Sequence, residues 1–81
     1  MKVRYFAWIK DITKTDVEEI DNLLIKDTKD LTKLICTKYP KLESYFEKNI
    51  ICMAINLEHI TSSKKLSPDD EVAFFPPVSG G

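Results

Sequence analysis

The segment Glu71-Val72-Ala73-Phe74-Phe75-Pro76-Pro77-Val78-Ser79-Gly80-Gly81 is the most informative stretch of this sequence. Val72, Phe74 and Phe75 favour a β-strand, because β-branched and aromatic side chains fit a pleated, half-buried surface. The two prolines that follow end the strand, since neither can donate a backbone hydrogen bond to a sheet. The last four residues are small and uncharged and include both glycines of the protein. The segment therefore predicts a final strand from Glu71 to Phe75, followed by an extended tail.

Strand patterns also occur upstream of this segment. Alternating side chains predict a first strand from Lys2 to Ile9 and a second from Asp16 to Asn22. We expect these two to be antiparallel, because the segment between them, Asp11 to Asp16, has the composition of a short loop. The nearly continuous apolar run from Asn49 to Asn56 predicts a third strand that is buried on both faces. A short edge strand, Glu58 to Ile60, follows it.

The middle of the sequence is helical in pattern. Asp27-Thr28 supplies a helix N-cap, and the helix is expected to run to about Lys38. Its apolar residues recur at helical spacing and form one stripe: Leu31, Leu34, Ile35 and Tyr39. A second, shorter helical piece is predicted from Lys41 to Lys48. Helices placed between groups of strands predict an α+β fold, a mixed sheet packed on a helix. With 81 residues the chain is one domain, residues 1–75, followed by a flexible Gly-Gly tail, residues 76–81.

Composition argues against several classes of protein. The net charge is −1 and no long basic run occurs, which argues against a nucleic-acid binder. No apolar stretch is long enough for a membrane span, so a cytoplasmic protein is expected. Cys36 and Cys52 lack metal-motif spacing and are expected to be small core residues, while His59 is expected on the surface. No nucleophile–base pair or phosphate-binding loop is present, so we expect no metal and no bound cofactor.

The terminal carboxylate is the remaining candidate for chemistry. It is ionised at neutral pH, because an α-carboxyl has a pKa of roughly 3.3–3.7, and an ionised carboxylate must be activated before it can transfer its acyl group. Glycines at positions 80 and 81 offer the least steric hindrance to entry into a narrow site. The five residues after Pro76 reach about 16–18 Å when extended, far enough to enter a partner's pocket. The alternative is a terminus without a role, as at most chain ends.

The sequence of this tail resembles that of the small subunit of molybdopterin synthase (the MoaD family). The resemblance is concentrated in the stretch from Asp69 to Gly81, and further matches are Val3-Arg4-Tyr5-Phe6-Ala7, Ala54-Ile55-Asn56 and Leu66. It covers essentially the whole chain. The family has a ubiquitin-like β-grasp fold and acts as a sulfur carrier, and the resemblance implies both properties for this chain.

The resemblance also implies roles for the residues of the tail. A MoeB-like adenylating enzyme uses ATP to activate Gly81, and a sulfur donor converts the terminus to a thiocarboxylate. The tail, with Gly80, Ser79 and Val78 as its threading residues, then enters the large subunit (MoaE-like), where the sulfur is used to build the dithiolene of molybdopterin from precursor Z. Phe75, Pro76 and Pro77 are the expected partner interface. Two small and two large subunits form the expected heterotetramer. Its catalytic side chains belong to the large subunit, which leaves open whether this chain is itself an enzyme.

Three alternatives remain open. One is a related β-grasp carrier that serves thiazole synthesis or tRNA thiolation, although the lead-in from Phe74 to Ser79 is not expected there. Another is a ubiquitin-like modifier that is conjugated to lysines, and the third is an interaction module with an inert terminus. The chain also departs from the MoaD pattern in two loops: Lys10-Asp11 replaces an Arg-Glu pair followed by Gly, and Pro68-Asp69-Asp70 replaces Asp-Gly-Asp. These changes affect loop geometry and leave the acyl chemistry unaltered.

Overall fold

A five-stranded mixed sheet forms the centre of the structure, a computed structural model that describes residues 1–21 and 24–77. The strands are β1 (Lys2–Tyr5), β2 (Val17–Glu19), β3 (Cys52–Ile55), β4 (Glu58–Ile60) and β5 (Glu71–Phe75). Their order in the sheet is β2-β1-β5-β3-β4, with β1 parallel to β5 and the other neighbours antiparallel. The predicted α+β class, the mixed sheet and the antiparallel β1–β2 pair are confirmed.

Three α-helices accompany the sheet within the described residues: α1 (Trp8–Thr13), α2 (Thr28–Lys38) and α3 (Glu43–Glu47), with a 3₁₀ turn at Pro40–Leu42. The predicted N-cap of α2 is confirmed, because the Asp27 side chain accepts a hydrogen bond of 2.9 Å from the amide of Asp30. Leu31 and Ile35 are fully buried, so the apolar stripe of α2 faces the sheet. The architecture is the β-grasp expected from the resemblance.

One core connects the sheet with the helices. Its buried members come from every described layer: Val3, Tyr5, Ile9, Ile20, Ile25, Leu31, Ile35, Leu42, Val72 and Phe74. All of these lie at or before Phe74, so the described core is complete before the tail begins. The division into a domain of residues 1–75 and a flexible tail of residues 76–81 stays a prediction, since residues 78–81 lie outside the described part of the chain.

The first strand is shorter than predicted, and a helix replaces much of the expected loop. β1 ends at Tyr5, and α1 begins at Trp8, so the predictions of a strand to Ile9 and of a loop from residue 11 to 16 are wrong. Ala7 has a φ of 54°, a left-handed value that breaks the strand at a residue with a Cβ. Ile9 lies on the helix that follows, α1, and is completely buried. Six residues are too few for the period-2 and period-3.6 patterns to be separated.

The third strand is also less enclosed than its sequence indicates. β3 spans only residues 52–55, and of these Ala54 alone is buried, whereas Cys52, Met53 and Ile55 are half-buried. The prediction of a strand buried on both faces is therefore wrong. β3 lies next to the edge strand β4, and its side chains at positions 52, 53 and 55 keep part of their apolar surface accessible.

Candidate functional site

Strand β5 carries the start of the tail and lies in the middle of the sheet. Its register places Phe74 between Tyr5 of β1 and Met53 of β3. Phe74 is fully buried, and its ring centroid lies 6.1 Å from that of Tyr5 in a stacked arrangement and 5.5 Å from that of Phe46 edge to face. Val72 is likewise fully buried. The tail therefore starts from a strand that is hydrogen-bonded on both edges and anchored by two core side chains.

The opposite face of β5 is open. Side chains alternate between the faces of a strand, so Ala73 and Phe75 point away from Phe74. Directly paired residues share a face, which places Ala54 beside Ala73 and Cys52 beside Phe75. His59 pairs with Ala54, and its ring lies 5.5 Å from the ring of Phe75 at an angle of 64°. We call this surface, formed by Cys52, Ala54, His59, Ala73 and Phe75, the outer face.

Polar contacts fix the start of β5 and border the outer face. The Arg4 Nε lies 3.0 Å from Oε1 of Glu71. The Asn56 amide group donates to Oδ1 of Asp70 and accepts from the backbone amide of Glu71, both at 2.9 Å. The other carboxylate oxygen of Asp70 accepts from the amide of Ser67 at 2.7 Å. Asp70 therefore caps the turn that precedes β5.

The predicted site residues divide into two groups. Phe75 and Pro76 are half-buried and Pro77 is exposed, so all three are accessible beside the outer face. Val78, Ser79, Gly80 and Gly81 lie outside the described residues, and their assignment as threading residues and sulfur-bearing terminus stays a prediction. The structure adds His59, Ala54 and Cys52 to the surroundings of Phe75, which sequence reasoning had not connected. Alternation of side chains along β3 and β4 indicates which of these residues share a face, but their proximity to Phe75 follows only from the register of the strands.

A second feature that sequence reasoning missed is a hydrogen-bonded cluster around Glu18. Its Oε2 accepts from Nζ of Lys38 at 2.6 Å, and its Oε1 accepts from the hydroxyls of Tyr39, at 3.0 Å, and Tyr5. The Tyr5 ring is the one stacked on Phe74. The cluster therefore connects β2 and the end of α2 to the strand that supports β5. A fully buried tyrosine needs a hydrogen-bond partner for its hydroxyl, which is the signal that the sequence offered.

Charge in this cluster is shared between opposite partners. Burial raises the pKa of Glu18, but the hydrogen bonds from Lys38, Tyr5 and Tyr39 outweigh it, so this pKa lies below its ordinary value. The hydrogen bond to Glu18 raises the pKa of Lys38. Burial, followed by the contact with Glu18, raises the pKa of Tyr5 and of Tyr39. Both phenols are therefore fixed hydrogen-bond donors, and the cluster is structural.

Other side-chain chemistry is absent from the described part of the chain. No group of three or more His, Cys, Asp and Glu residues is arranged to hold a metal ion there. Cys36 and Cys52 are unpaired and half-buried, which is more exposure than the predicted core position allows. Burial, together with the charges of Glu43 and Glu47, raises the pKa of the Cys36 thiol, which disfavours the reactive thiolate. His59 is exposed, as predicted.

Helices that could cross a membrane are likewise not found among residues 1–21 and 24–77. The longest described helix, α2, has 11 residues, well below the roughly 20 that a bilayer requires.

Comparisons with known proteins give a consistent result. The ThiS family model matches residues 3–81. The molybdopterin synthase sulfur carrier subunit of Dictyostelium discoideum is 34% identical over 99% of this chain and 94% of its own length. The subunit of the same name from Escherichia coli is 28% identical over 100% of this chain and 99% of its own.

A solved structure extends the likeness to three dimensions. The crystal structure of SAMP1, a small archaeal modifier protein, from Haloferax volcanii matches with a TM-score of 0.81 and 25% identity. The match covers 100% of this chain and 98% of that one. Since the family model matches residues 3–81 and the curated relatives cover 99% and 100% of the chain, this protein belongs to the ThiS family and resembles the molybdopterin synthase sulfur carrier subunits.

Proposed function

We propose that this chain is the sulfur carrier subunit of a molybdopterin synthase and that Gly81 is the residue that bears the sulfur. The observation that carries the proposal is the likeness to the D. discoideum subunit over 99% of this chain, together with a family model that matches through Gly81. The structure supports it with a strand that fixes the start of the tail in the centre of the sheet. Four residues separate Pro77 from the end of Gly81, a reach of about 13–14 Å when extended.

Activation of the terminus requires a second protein. A MoeB-like adenylating enzyme binds ATP, and a carboxylate oxygen of Gly81 attacks the α-phosphorus, so that pyrophosphate leaves and an acyl adenylate forms. Sulfide delivered by a sulfur donor then attacks the acyl carbon. AMP leaves, and a thiocarboxylate remains. No side chain of this chain takes part in either step, and no cofactor is bound to it. Because activation consumes ATP, we assign the chain to the cytoplasm.

Use of the sulfur requires the large subunit. The thiocarboxylate enters a MoaE-like subunit, whose side chains catalyse its transfer to precursor Z. A dithiolene contains two sulfur atoms and each carrier terminus supplies one, which is in keeping with a heterotetramer of two small and two large subunits. Phe75, Pro76 and Pro77 form the proposed interface. The outer face supports this, because it places Ala73 and the ring of His59 beside the accessible Phe75.

Intact-protein mass spectrometry tests the proposed chemistry. Incubation of the chain with ATP, an adenylating enzyme and a sulfide source is expected to increase its mass by the difference between one sulfur and one oxygen atom. Fragmentation should locate the change at Gly81. A mass that never changes would contradict the carrier function. An isopeptide adduct on lysine would instead identify a modifier, and sulfur transfer to tRNA or to a thiazole precursor would identify a related carrier.

A further inference from the structure

A groove of about 710 Å³ lies on the helix side of the sheet, between α2 and the edge formed by β3 and β4. Its floor contains Ile51, Met53 and Ile60, of which Met53 and Ile60 are a directly paired couple on β3 and β4. Thr28 and Thr32 of α2 form one wall, and the segment from Thr61 to Ser63 closes one end. A groove with an apolar floor between a helix and an edge strand is suited to an extended ligand.

The wall of this groove has few polar groups left for water. The Thr32 hydroxyl donates to the carbonyl oxygen of Thr28 at 2.8 Å. The Thr28 hydroxyl accepts from the amide of Lys64 at 3.2 Å and lies 3.3 Å from the Ser63 hydroxyl. These contacts fix the segment after β4 against the start of α2. The apolar floor of the groove is left without cover.

Strand β3 is more apolar than its burial requires. Its sequence has the continuous apolar character of a strand covered on both faces, yet Met53, Ile55 and the preceding residue Ile51 are only half-buried. β4 beside it is the last strand of the sheet, so its outer edge has no neighbouring strand among the described residues. An unpaired edge next to uncovered apolar side chains is the surface to which another strand adds.

The charge of the groove has one sign. Lys29 and Lys33 lie one helical turn apart on α2 at its rim, are exposed, and make none of the ion pairs among the described residues. No acidic residue is among its described lining residues. Glu58, on β4, is exposed and does not line it. A ligand for this groove therefore needs apolar groups for the floor and negative charge for the rim.

We propose that the groove binds an extended peptide segment of a partner protein that carries both apolar and acidic residues. The segment pairs its backbone with the free edge of β4 as a sixth strand, places apolar side chains on Met53 and Ile60, and directs its carboxylates to Lys29 and Lys33. A peptide is favoured over a lipid because only a peptide uses the open backbone edge of β4. Cys52 and His59 of the outer face also line the groove, whereas Ala73 and Phe75 do not, so the site leaves these two residues accessible.

The test uses the full chain and three synthetic peptides. The first is a fluorescein-labelled hexapeptide of three isoleucines followed by three aspartates, the second has lysines in place of the aspartates, and the third is the first with N-methylated isoleucine amides. Fluorescence anisotropy at low salt is expected to give a Kd below about 1 mM for the first peptide. The second and third are expected to bind at least about tenfold more weakly, because one lacks charge complementarity and the other cannot pair with a strand.

Variants of the chain locate the site. Lys29→Glu with Lys33→Glu is expected to weaken binding of the first peptide at least about fivefold. Lys10→Glu with Lys14→Glu makes the same change of charge on α1 and at its C-cap, and is expected to leave the affinity within about twofold. Backbone amide shifts in NMR spectra of the unmodified chain are expected in β4 and α2. The proposal is overturned if the N-methylated or the basic peptide binds equally well, if the shifts occur at Ala73 and Phe75 instead, or if laurate displaces the peptide.

Discussion

Glu18 shows how one side chain connects three parts of the fold. It lies on β2, opposite Val3 of β1, and its carboxylate accepts hydrogen bonds from Tyr5, Tyr39 and Lys38. Tyr5 is fully buried, so its hydroxyl has no access to water. Loss of the carboxylate would therefore leave a buried donor without an acceptor, which costs more than the hydrogen bond itself contributes.

Glu18→Ala is accordingly expected to lower the free energy of unfolding by about 2–3 kcal/mol, measured by urea denaturation at neutral pH. Glu19→Ala is the matched control. Glu19 is the next residue, its side chain is 67% exposed, and it pairs with the N-terminal ammonium group at 3.2 Å, so a loss of about 0.5 kcal/mol or less is expected. Equal losses in the two variants would show that the cluster does not stabilise the fold.

The cluster also predicts a dependence of stability on pH. The folded-state pKa of Glu18 lies below its ordinary value of 4.5, so the ionised carboxylate stabilises the folded state. This contribution is complete above the ordinary pKa and is lost as the pH falls through the lower, folded-state pKa. The difference in unfolding free energy between the native chain and Glu18→Gln is therefore expected to be constant from about pH 6 to 8 and to shrink below about pH 4. A difference that grows on acidification would contradict the assignment.

At the scale of the element, β5 presents two different faces from adjacent residues. Phe74 is fully buried against Tyr5 and Phe46, whereas Phe75 is half-buried on the outer face beside His59. The first aromatic side chain belongs to the core and the second to the proposed interface. Because the two residues are neighbours of the same type, each serves as the control for the other.

Phe74→Ala is expected to lower the free energy of unfolding by about 3–5 kcal/mol through the cavity it leaves. Phe75→Ala is expected to cost only about 1 kcal/mol of stability but to weaken binding to the large subunit by about 2 kcal/mol or more. Urea denaturation and titration calorimetry measure the two effects. An unchanged affinity of Phe75→Ala would remove this residue from the interface.

Elements with a single strong signal could be predicted from the sequence, and elements with competing signals could not. The limits of α2 and β5 follow from a capping residue and a proline pair, both of which act locally. α1 was not predicted because its start depends on the positive φ of Ala7. An alanine in the sequence does not indicate this conformation, which is uncommon for residues other than glycine. Tyr5 and Glu18 each fit a strand pattern, yet their contact depends on register, which is set by the whole sheet.

At the scale of the whole molecule, stability and proposed chemistry are separated along the chain. Every buried core residue in the described part lies at or before Phe74, and the proposed reactive carbon is that of Gly81. The tail chemistry was predictable because it depends on residue types alone. The outer face and the groove were not predictable, because the outer face joins β3 and β4 to β5 and the groove joins them to α2, elements that are distant in sequence.

Deletion of Gly81 is therefore expected to abolish formation of the thiocarboxylate product in the mass-spectrometric assay. The urea denaturation midpoint should remain within error of that of the native chain, because no described core contact is removed. Substitution of Lys41, a surface residue of the 3₁₀ turn, by alanine provides a control with full sulfur transfer. If the deletion variant unfolds, the proposed separation of fold stability from the chemistry of the tail is wrong.

The parallel pairing of β1 with β5 has a consequence for the synthesis of the protein. β5 lies between β1 and β3 in the sheet and is hydrogen-bonded to both. Both of these strands precede β5 in the chain, so they are synthesised before it. A nascent chain that has reached only Asp70 contains a gap where the sheet should be continuous, so cooperative folding waits for the last strand to leave the ribosome. Premature termination upstream of β5 then yields chains that cannot form the sheet and are open to proteolysis. Only chains that include β5, the strand that leads into the tail, are therefore expected to fold.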